Sequence, residues 1–340
     1  MSARTTLADV ARAAGVGVAT VDRVLNKRAP VARATAERVV AAAEALGYHG
    51  TTLLRRRLDE IVETKTLGFL LQGRNDRFYQ PMAAAFAEAT RALTAVRGRP
   101  LVDFNDDLAP PAVAAKLMAL GERADVVALV AADHPKVAAA VEALAARGVP
   151  VVTLLAELST PAVAGHVGID PNKAGRTAAW AIARLARTPG PVGILVGSHR
   201  YTNHERAEMS FRSYFREKAP QFRLLESLAN LEDSRLSHEA TLELLKRAPD
   251  LVGIYDAGGG MEGLIAALRE RGGGAPIVAV CNELIPATRL ALEDGVLDAV
   301  IGTPVGRLVE TALRLMLGAL AGEEPARVFL PFDLFVAENV

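Results

Sequence analysis

The sequence predicts a two-part protein: an N-terminal all-α helix-turn-helix domain, then an α/β body of two lobes, each built on a doubly wound parallel sheet. Apolar residues recur at helical spacing through the first 48 residues. From residue 66 onward, short apolar runs alternate with amphipathic segments, as in parallel sheets covered by helices. Because 340 residues exceed what one hydrophobic core usually holds, two or three domains are expected.

The N-terminal domain contains three predicted short helices. Apolar residues lie one helical turn apart within residues 7–11, 18–25 and 39–46. Gly15 and Gly17 separate the first two runs, where a tight turn needs backbone conformations that glycine adopts readily. In a helix-turn-helix the second helix enters the DNA major groove. An ordinary helical interaction module is the alternative, and the charge of the segment argues against it.

Charge is unevenly distributed along the chain. Residues 1–58 carry ten Lys or Arg against four Asp or Glu, although the whole chain has a formal net charge of zero. A basic domain on an acidic body is expected when only that domain contacts the phosphate backbone. The single cysteine, Cys281, cannot form an intrachain disulfide and fits a reducing cytosol. The sequence lacks a signal-peptide pattern and a membrane-spanning apolar run, so a cytoplasmic protein without a membrane partner is expected.

The body contains two series of apolar runs that alternate with helical segments. The first series comprises residues 67–71, 126–132 and 149–155, and the second comprises 191–197, 251–257 and 276–282. Strands buried on both faces read as such continuous runs, so each series predicts one parallel sheet. The last helix and the segment FLPFDLF, residues 329–335, are expected to return to the first lobe.

The first domain resembles one family closely. The segments LADVARAAGVGVATVDRVLN (7–26) and ATAERVVAAAEALGY (34–48) are similar to the DNA-binding domain of LacI/GalR-type (lac-repressor family) bacterial transcriptional regulators. The resemblance implies that Val18, Ala19 and Arg23 read bases, while Thr20 and Asn26 contact phosphate or pack nearby.

Two positions depart from the family pattern. Asp22 stands where serine is usual, and its carboxylate would be repelled by phosphate, so we expect it to point sideways. Ala32 stands where a Ser or Thr cap is usual, and its methyl group cannot accept the first N–H groups of the third helix.

The resemblance divides the chain into a DNA-binding domain (1–50), a hinge or linker (51–65) and a ligand-binding and dimerisation domain (66–340). In the family, the linker folds into a helix on operator DNA and a leucine wedges into the minor groove. Leu58 is the nearest match, but the usual proline after Tyr48 is missing and the spacing is one residue longer, so Leu54 remains possible. A merely solvated basic linker is the alternative.

The body resembles a type I periplasmic-binding-protein fold, with lobe 1 at about 66–164 plus 303–340 and lobe 2 at about 165–302. Open parallel sheets bind ligands in a crevice at the carboxyl ends of their strands, and two facing lobes make that crevice a closing cleft. The candidate ligand-binding residues follow predicted strands: Asn75, Phe78, Tyr79, Asp133, Asn203, Arg206, Asn282 and Glu283.

The ligand class follows from these side chains. Carboxylates and amides pair with hydroxyl groups, and Phe78 and Tyr79 could stack on a sugar ring, although they could equally pack beneath a helix. Arg206 resembles the ligand-gripping arginine of the family. An anionic effector would want several converging cations, which Asp133 and Glu283 oppose. A neutral carbohydrate or polyol is therefore expected.

Together these features predict a ligand-responsive transcriptional regulator that binds a palindromic double-stranded operator as a homodimer, and the resemblance implies a repressor. A cytoplasmic solute-binding protein or a sugar-modifying enzyme with an accessory helical module is the alternative. The sequence shows no convergent catalytic group, no nucleotide loop and no metal-ligand spacing, so we expect no enzyme activity, cofactor or metal.

Arg23 provides the first test. If Arg23 grips a base edge with two hydrogen bonds, Arg23→Ala should weaken specific operator binding by about 1–3 kcal/mol and binding to random DNA much less. Competition gel shifts on operator and random duplexes measure both losses. Equal losses on the two duplexes would identify Arg23 as a phosphate contact instead.

Overall fold

The computed structural model describes residues 5–26, 29, 31–59, 63–272 and 275–340. The chain divides into two compact units, Met1–Lys65 with Arg91–Arg99 and Thr66–Thr90 with Pro100–Val340. Within the described residues, no helix combines the length and apolarity that a membrane span requires.

The N-terminal part of the first unit contains four helices among the described residues: α1 (Leu7–Ala14), α2 (Val18–Asn26), α3 (Arg33–Ala45) and α4 (Thr51–Asp59). Thr6 caps α1, because its hydroxyl accepts from the Asp9 N–H (3.3 Å) and the Asp9 carboxylate accepts from the Thr6 N–H (3.0 Å). The helix ends at Gly15 with φ of 63°, a left-handed conformation that glycine adopts without strain. The predicted helix-turn-helix is therefore confirmed.

Helix α4 belongs to the core of this unit. It packs against α2 and α3, and the side chain of Leu54 is completely buried among their apolar residues. Leu58 is partly buried against the same core, whereas Leu53 is 43% exposed. The first part of the predicted linker thus forms a fourth helix of the domain, with Leu54 as a core residue; residues 60–62 of that linker lie outside the described residues.

The second unit alternates strands and helices, as predicted. In chain order its elements are β1 (Thr64–Gln72), α5 (Tyr79–Arg91), β2 (Arg97–Asn105), α6 (Pro110–Gly121), β3 (Val126–Leu129), α7 (Pro135–Ala146), β4 (Val151–Leu154), β5 (Val163–Ile169), α8 (Pro171–Leu185), β6 (Pro191–Val196), α9 (Thr202–Lys218), β7 (Arg223–Leu224), β8 (Leu228–Ala229), α10 (Ser234–Arg247), β9 (Gly253–Asp256), α11 (Met261–Arg271), β10 (Val278–Asn282), α12 (Pro286–Glu293), β11 (Ala299–Gly302), α13 (Val305–Leu320), β12 (Ala326–Leu330), β13 (Asp333–Phe335) and a 3-10 turn (Ala337–Asn339).

Two sheets define two lobes. Lobe 1 contains the sheet β12-β5-β4-β3-β1-β2, in which β1 pairs with β3, β3 with β4, β4 with β5 and β5 with β12, all in parallel. Lobe 2 contains the sheet β13-β11-β10-β9-β6-β7, with β8 also paired to β6. Its inner strands are parallel, and β13 runs antiparallel to β11 at the edge. Parallel pairing sends the carboxyl ends of the strands to one edge of each sheet.

The lobe boundaries differ from those expected at 164/165 and 302/303. Strand β5 continues the first sheet through Ile169, so the chain first crosses at Asp170. It returns between β11 and α13, because α13 packs on β3, β4 and β5 of lobe 1. A third crossing follows β12, because β13 joins the sheet of lobe 2. The expectation that all of 303–340 belongs to lobe 1 is therefore wrong.

Pro331 explains why the segment 329–335 does not stay in one lobe. Strand β12 ends at Leu330, and the following proline lacks the N–H that would continue the ladder. After this break, Asp333–Phe335 pairs with β11, and the Phe335 ring covers Gly302, where a Cβ would lie only 2.6 Å from the ring. The segment 329–335 therefore contains the end of β12, in the sheet of lobe 1, and all of β13, in the sheet of lobe 2.

Leu54 provides a test of the packing of α4. Leu54→Ala should destabilise the helical unit by about 2–5 kcal/mol, because it leaves a cavity in a closed apolar core. The neighbouring variant Leu53→Ala is the matched control, because Leu53 is 43% exposed, and it should change stability by about 0.5 kcal/mol or less. Hydrogen exchange of peptides from 7–48 measures both effects; equal protection in the two variants would contradict the packing of α4.

Candidate functional site

A cavity of about 300 Å³ lies between the two lobes, at the carboxyl ends of their strands. Its walls come mainly from the loops that follow β1, β4, β6, β8, β9, β10 and β11. The lining residues are Gln72, Asn75, Asp76, Arg77, Phe78, Tyr79, Val130, Leu155, Ala156, Ile169, Tyr201, Asn203, His204, Glu232, Ser234, Ala257, Gly258, Gly259, Gly260, Met261, Glu262, Asn282, Glu283, Ile285 and Thr303. A cavity of this size accommodates a small polar molecule.

Left-handed backbone is concentrated in this wall. Among the described residues, four non-glycine residues have positive φ: Leu155 (64°), Leu231 (53°), Glu232 (63°) and Glu283 (65°). Leu155, Glu232 and Glu283 line the cavity, and Leu231 precedes one of them. Such conformations cost free energy and persist where the surroundings enforce them, often at ligand sites. The fold therefore holds two carboxylates at the cavity by a strained backbone.

The Glu232 carboxylate occupies a slot formed by glycines. Its Oε2 accepts a hydrogen bond from the Gly259 N–H (3.1 Å). A Cβ on Gly197 would lie 1.4 Å from Glu232 Oε1, and a Cβ on Gly259 would lie 2.5 Å from Oε2. The three glycines 258–260 thus line the cavity, and the absence of side chains at Gly258 and Gly259 lets the Glu232 carboxylate lie against their backbone.

Glu283 is held by Thr303. Its two carboxylate oxygens accept hydrogen bonds from the Thr303 hydroxyl (2.7 Å) and the Thr303 N–H (2.9 Å). Burial raises the pKa of Glu283 to about 7, although both hydrogen bonds act to lower it. Glu283 therefore changes its charge near neutral pH.

Aromatic and amide groups form the lobe 1 side. The rings of Phe78 and Tyr79 meet edge to face with centroids 5.1 Å apart. The Gln72 amide donates to the Tyr201 hydroxyl (2.7 Å), and the Tyr79 hydroxyl donates to the Gln72 carbonyl (3.4 Å). Burial raises the pKa of both tyrosines, so their hydroxyls stay protonated. Gln72 therefore fixes two phenols, one from each lobe.

Three side-chain atoms in the wall are buried without a hydrogen-bond partner: Asn203 Oδ1, His204 Nδ1 and Glu232 Oε1. His204 Nδ1 lies 3.6 Å from Glu232 Oε1. Burial lowers the pKa of His204, even though the charge of Glu232 raises it. A buried polar atom without a partner costs free energy, so these atoms mark where a ligand gains most from hydrogen bonds.

The structure brings six of the eight predicted ligand residues together. The predicted residues that line the cavity, from both lobes, are Asn75, Phe78, Tyr79, Asn203, Asn282 and Glu283. Asn282 also donates to the Ala257 carbonyl (3.0 Å) and accepts from the Tyr255 hydroxyl (3.2 Å).

Asp133 and Arg206 require correction, because neither lines this cavity. The Asp133 carboxylate accepts from the N–H and hydroxyl of Ser159, both at 3.2 Å. The Arg206 guanidinium pairs with Glu157, a carboxylate with 11% side-chain exposure that also pairs with Arg327 at 3.4 Å. Both side chains therefore have partners within the protein, outside the cavity, where they were predicted to contact a ligand.

The contacts of Glu157 connect the lobes. Glu157 follows β4 in lobe 1, while Arg206 and Thr202 belong to α9 of lobe 2. The Thr202 hydroxyl donates to the Glu157 carbonyl (3.0 Å), and the Asp133 N–H donates to the Arg200 carbonyl (2.8 Å). The start of α9 is therefore bound to lobe 1 beside the cavity.

Sequence reasoning missed Gln72, His204, Glu232 and Glu262. Gln72 is the last residue of the long strand β1, whereas the predicted ligand-binding residues follow strands. Glu232 follows β8, which has only two residues. Such a short strand gives no apolar run in the sequence, so the loop after it could not be predicted. Throughout the part of the chain that the structure describes, no three His, Cys, Asp or Glu side chains are grouped so that they could hold a metal ion.

In the helical unit, α2 presents the predicted DNA-reading residues to solvent. Val18, Ala19, Arg23 and Asn26 are exposed and Thr20 is half-buried, while Val21 and Val24 face the core. The Asn26 amide donates to the Asp22 carboxylate (2.7 Å), so Asp22 contacts a residue one turn along its own helix. Pairing of Asp22 with a DNA base or an arginine stays a prediction.

Comparison with known proteins agrees with both units. Residues 67–324 match the periplasmic binding protein domain, and residues 6–50 match the bacterial regulatory proteins of the lacI family. The chain therefore belongs to the periplasmic binding protein domain family and carries a lacI-family DNA-binding domain at its N-terminus.

Individual relatives are similar over part of their length. The HTH-type transcriptional regulator reg1 of Streptomyces lividans is 30% identical over 214 residues, which cover 59% of this chain and 56% of reg1. GalR of Salmonella typhimurium is 39% identical over 80 residues, covering 24% and 23% of the two chains. The chain thus spans about half of reg1 and less than a quarter of GalR.

A solved structure supports the fold of the body. An ABC transporter solute-binding protein from Agrobacterium vitis, bound with alpha-D-tagatopyranose, superposes with a TM-score of 0.74 at 18% identity. The match covers 81% of this chain and 96% of the other. At this identity the likeness establishes the two-lobe fold.

Glu283 provides a test of the cavity's electrostatics. Its folded pKa of about 7 lies above the ordinary 4.5, so the folded protein binds this proton more tightly than the unfolded chain does. The stabilisation from this proton is therefore present at low pH and is lost as pH rises from about 4.5 to about 7. Glu283→Gln removes the effect, so its melting temperature should gain on that of the wild type as pH rises through this window.

Differential scanning fluorimetry between about pH 5 and about pH 8 measures the difference. Glu205→Gln is the matched control, because Glu205 is exposed on α9 and outside the cavity wall. If the wild-type and Glu283→Gln curves run parallel over this range, the raised pKa is wrong.

Proposed function

We propose that this protein is a ligand-responsive transcriptional regulator that binds a palindromic operator as a homodimer. Its effector is a small carbohydrate or polyol that binds in the cavity between the lobes. The observation that carries the proposal is the presence, in one chain, of an exposed α2 face that bears the predicted DNA-reading residues and of a polar cavity between two lobes.

The cavity supports an allosteric role because both lobes contribute to its wall. Asn75, Phe78 and Tyr79 come from lobe 1, whereas Asn203 and Asn282 come from lobe 2. A ligand that touches both walls binds best in one arrangement of the lobes and therefore shifts the population toward it. The coupling to DNA is then limited by the difference in operator affinity between the two arrangements.

A dimer is required by the size of the reading surface. Helix α2 has nine residues, of which only the exposed face can touch base edges. One such helix reads too few base pairs for selective binding, and two copies related by a two-fold axis read a palindromic site. The basic charge of residues 1–58 supplies the affinity for phosphate.

The carbohydrate assignment rests on the chemistry of the wall. Amides and carboxylates exchange hydrogen bonds with hydroxyls, and the Phe78 and Tyr79 rings offer apolar faces to a sugar ring. The Agrobacterium vitis protein of the same fold was solved with a sugar bound. That likeness supports the same ligand class for this chain.

The proposal predicts specific DNA binding that a carbohydrate alters. Fluorescence anisotropy should detect binding to the DNA upstream of the protein's own gene at least tenfold tighter than to a scrambled duplex, since specific sites exceed random ones by about a thousandfold or more. Addition of a carbohydrate or polyol that raises the melting temperature should change the operator affinity at least about fivefold.

Two outcomes separate the parts of the proposal. Equal affinity for upstream and scrambled DNA, across several upstream fragments, would contradict the regulator. Specific DNA binding that no carbohydrate or polyol changes would contradict the effector class and leave the regulator intact. A sedimenting species of one chain at concentrations that saturate the operator would contradict the dimer.

A further inference from the structure

The cavity wall carries an excess of carboxylates. Asp76 comes from the loop after β1 in lobe 1, while Glu232, Glu262 and Glu283 come from lobe 2. Among the described lining residues the only Lys or Arg is Arg77, which is exposed. Arg206, the arginine that the sequence suggested for this site, pairs with Glu157 outside the cavity. The acidic charge in the wall is therefore poorly balanced.

Carboxylates of opposite lobes repel each other across this cavity. Asp76 is an exposed residue, but partial burial of its carboxylate raises its pKa, and the negative charges of Glu262 and Glu232 raise it further. Two backbone hydrogen bonds, from Phe78 and Tyr79, act in the opposite direction. Because Asp76 belongs to lobe 1 and the two glutamates to lobe 2, the repulsion acts between the lobes. A positive charge placed among the three would turn this repulsion into attraction.

The unpartnered atoms of the same wall are an independent indication of a ligand. His204 is 8% exposed and lines the cavity. Its Nδ1 faces Glu232 Oε1 at 3.6 Å, which is beyond hydrogen-bond distance, and neither atom has a hydrogen-bond partner. Asn203 Oδ1 and Glu232 Oε1, also without partners, can only accept hydrogen bonds. A group rich in N–H donors satisfies such acceptors.

The aromatic side chains favour the same group. Phe78, Tyr79 and Tyr201 line the cavity, and the faces of aromatic rings attract cations. Hydroxyl groups of a neutral sugar would satisfy the acceptors but would leave the carboxylate charges unbalanced. An ammonium group supplies three donors and one positive charge in a compact volume.

Building on the proposed regulator, we propose that its effector is an amino sugar or amino polyol whose protonated amine binds among Asp76, Glu232 and Glu262. The hydroxyl groups of the effector reach the amides of Asn75, Asn203 and Asn282. The bound ammonium group joins carboxylates of the two lobes and thereby favours the arrangement in which the lobes lie closest. This refines the neutral ligand that the sequence suggested.

Matched pairs of probes test the charge directly. D-glucosamine, D-galactosamine and 1-amino-1-deoxy-D-sorbitol are compared with D-glucose, D-galactose and D-sorbitol, by thermal shift and then by calorimetry on the full chain. At least one amine should bind about tenfold more tightly than its hydroxyl partner, as expected for a charged hydrogen bond. Raising NaCl from about 0.05 M to about 0.5 M should weaken the amine more than the hydroxyl compound.

Variants locate the amine. Glu232→Gln keeps an oxygen that can accept from the Gly259 N–H, and it should lower the affinity for the amine about tenfold while changing that for the hydroxyl partner less than about threefold. Glu262→Gln, on the half-exposed start of α11, should act in the same direction and does not disturb the glycine slot. Glu205→Gln, outside the wall, should leave both affinities unchanged.

Each outcome has a separate meaning. A neutral sugar or polyol that binds as tightly as its amine partner overturns the amine and leaves the carbohydrate-responsive regulator standing. Equal losses for amine and hydroxyl probes in Glu232→Gln also overturn it. If no probe of either kind binds while upstream DNA is bound specifically, the amine and the carbohydrate effector both fail. Loss of specific DNA binding alone bears on the regulator.

Discussion

The architecture of the body depends on parallel strand pairing. In a parallel sheet every strand ends at the same edge, so the loops that follow β1, β4 and β5 gather on one side of lobe 1. Lobe 2 does the same with the loops that follow β6, β9 and β10. The two edges face each other, and a polar cavity lies between them, with an apolar core in each lobe. The site therefore consists of polar residues that would be unfavourable in the apolar cores. Its position follows from the parallel pairing of the strands.

Conformational strain and electrostatic strain coincide at the cavity. Glu232 and Glu283 adopt left-handed backbone, and both are carboxylates at the edge of an apolar interior. Behind them, burial raises the pKa of Asp256 well above its ordinary value, although the Gly258 N–H, Ser237 and Asn230 stabilise its charge. Free energy spent on these groups is recovered in part when a ligand pairs with them.

Sequence patterns predicted the parts of the site that depend on local structure. Asn75, Phe78 and Tyr79 follow a long apolar run, so their place at a strand end could be read directly. Glu232 could not be found this way, because its direction depends on a φ of 63° and on glycines 35 and 26–27 residues away in sequence. The prediction that Arg206 contacts the ligand was wrong for a related reason, because its partner Glu157 lies 49 residues earlier in the sequence. Ion pairs between distant loops leave no local signal.

The lobe boundaries show the same limit. Strand β5 contains two glycines and a histidine, so its apolar character is weak, yet it completes the sheet of lobe 1 between β4 and β12. The helix-turn-helix, in contrast, depends on spacing and on Gly15, both of which are visible in the letters. Features set by neighbours in sequence were predicted, and features set by neighbours in space needed the fold.

The three passages of chain between the lobes determine how the lobes can move. Each is short: Asp170, Thr303–Pro304 and Pro331–Phe332. They lie side by side, because Ile169 is registered with Leu330 in one sheet and Gly302 with Asp333 in the other. Prolines at 171, 304 and 331 fix one backbone torsion beside or within each passage. Three adjacent connections of this kind favour rotation of the lobes about the line that joins them over sliding or twisting.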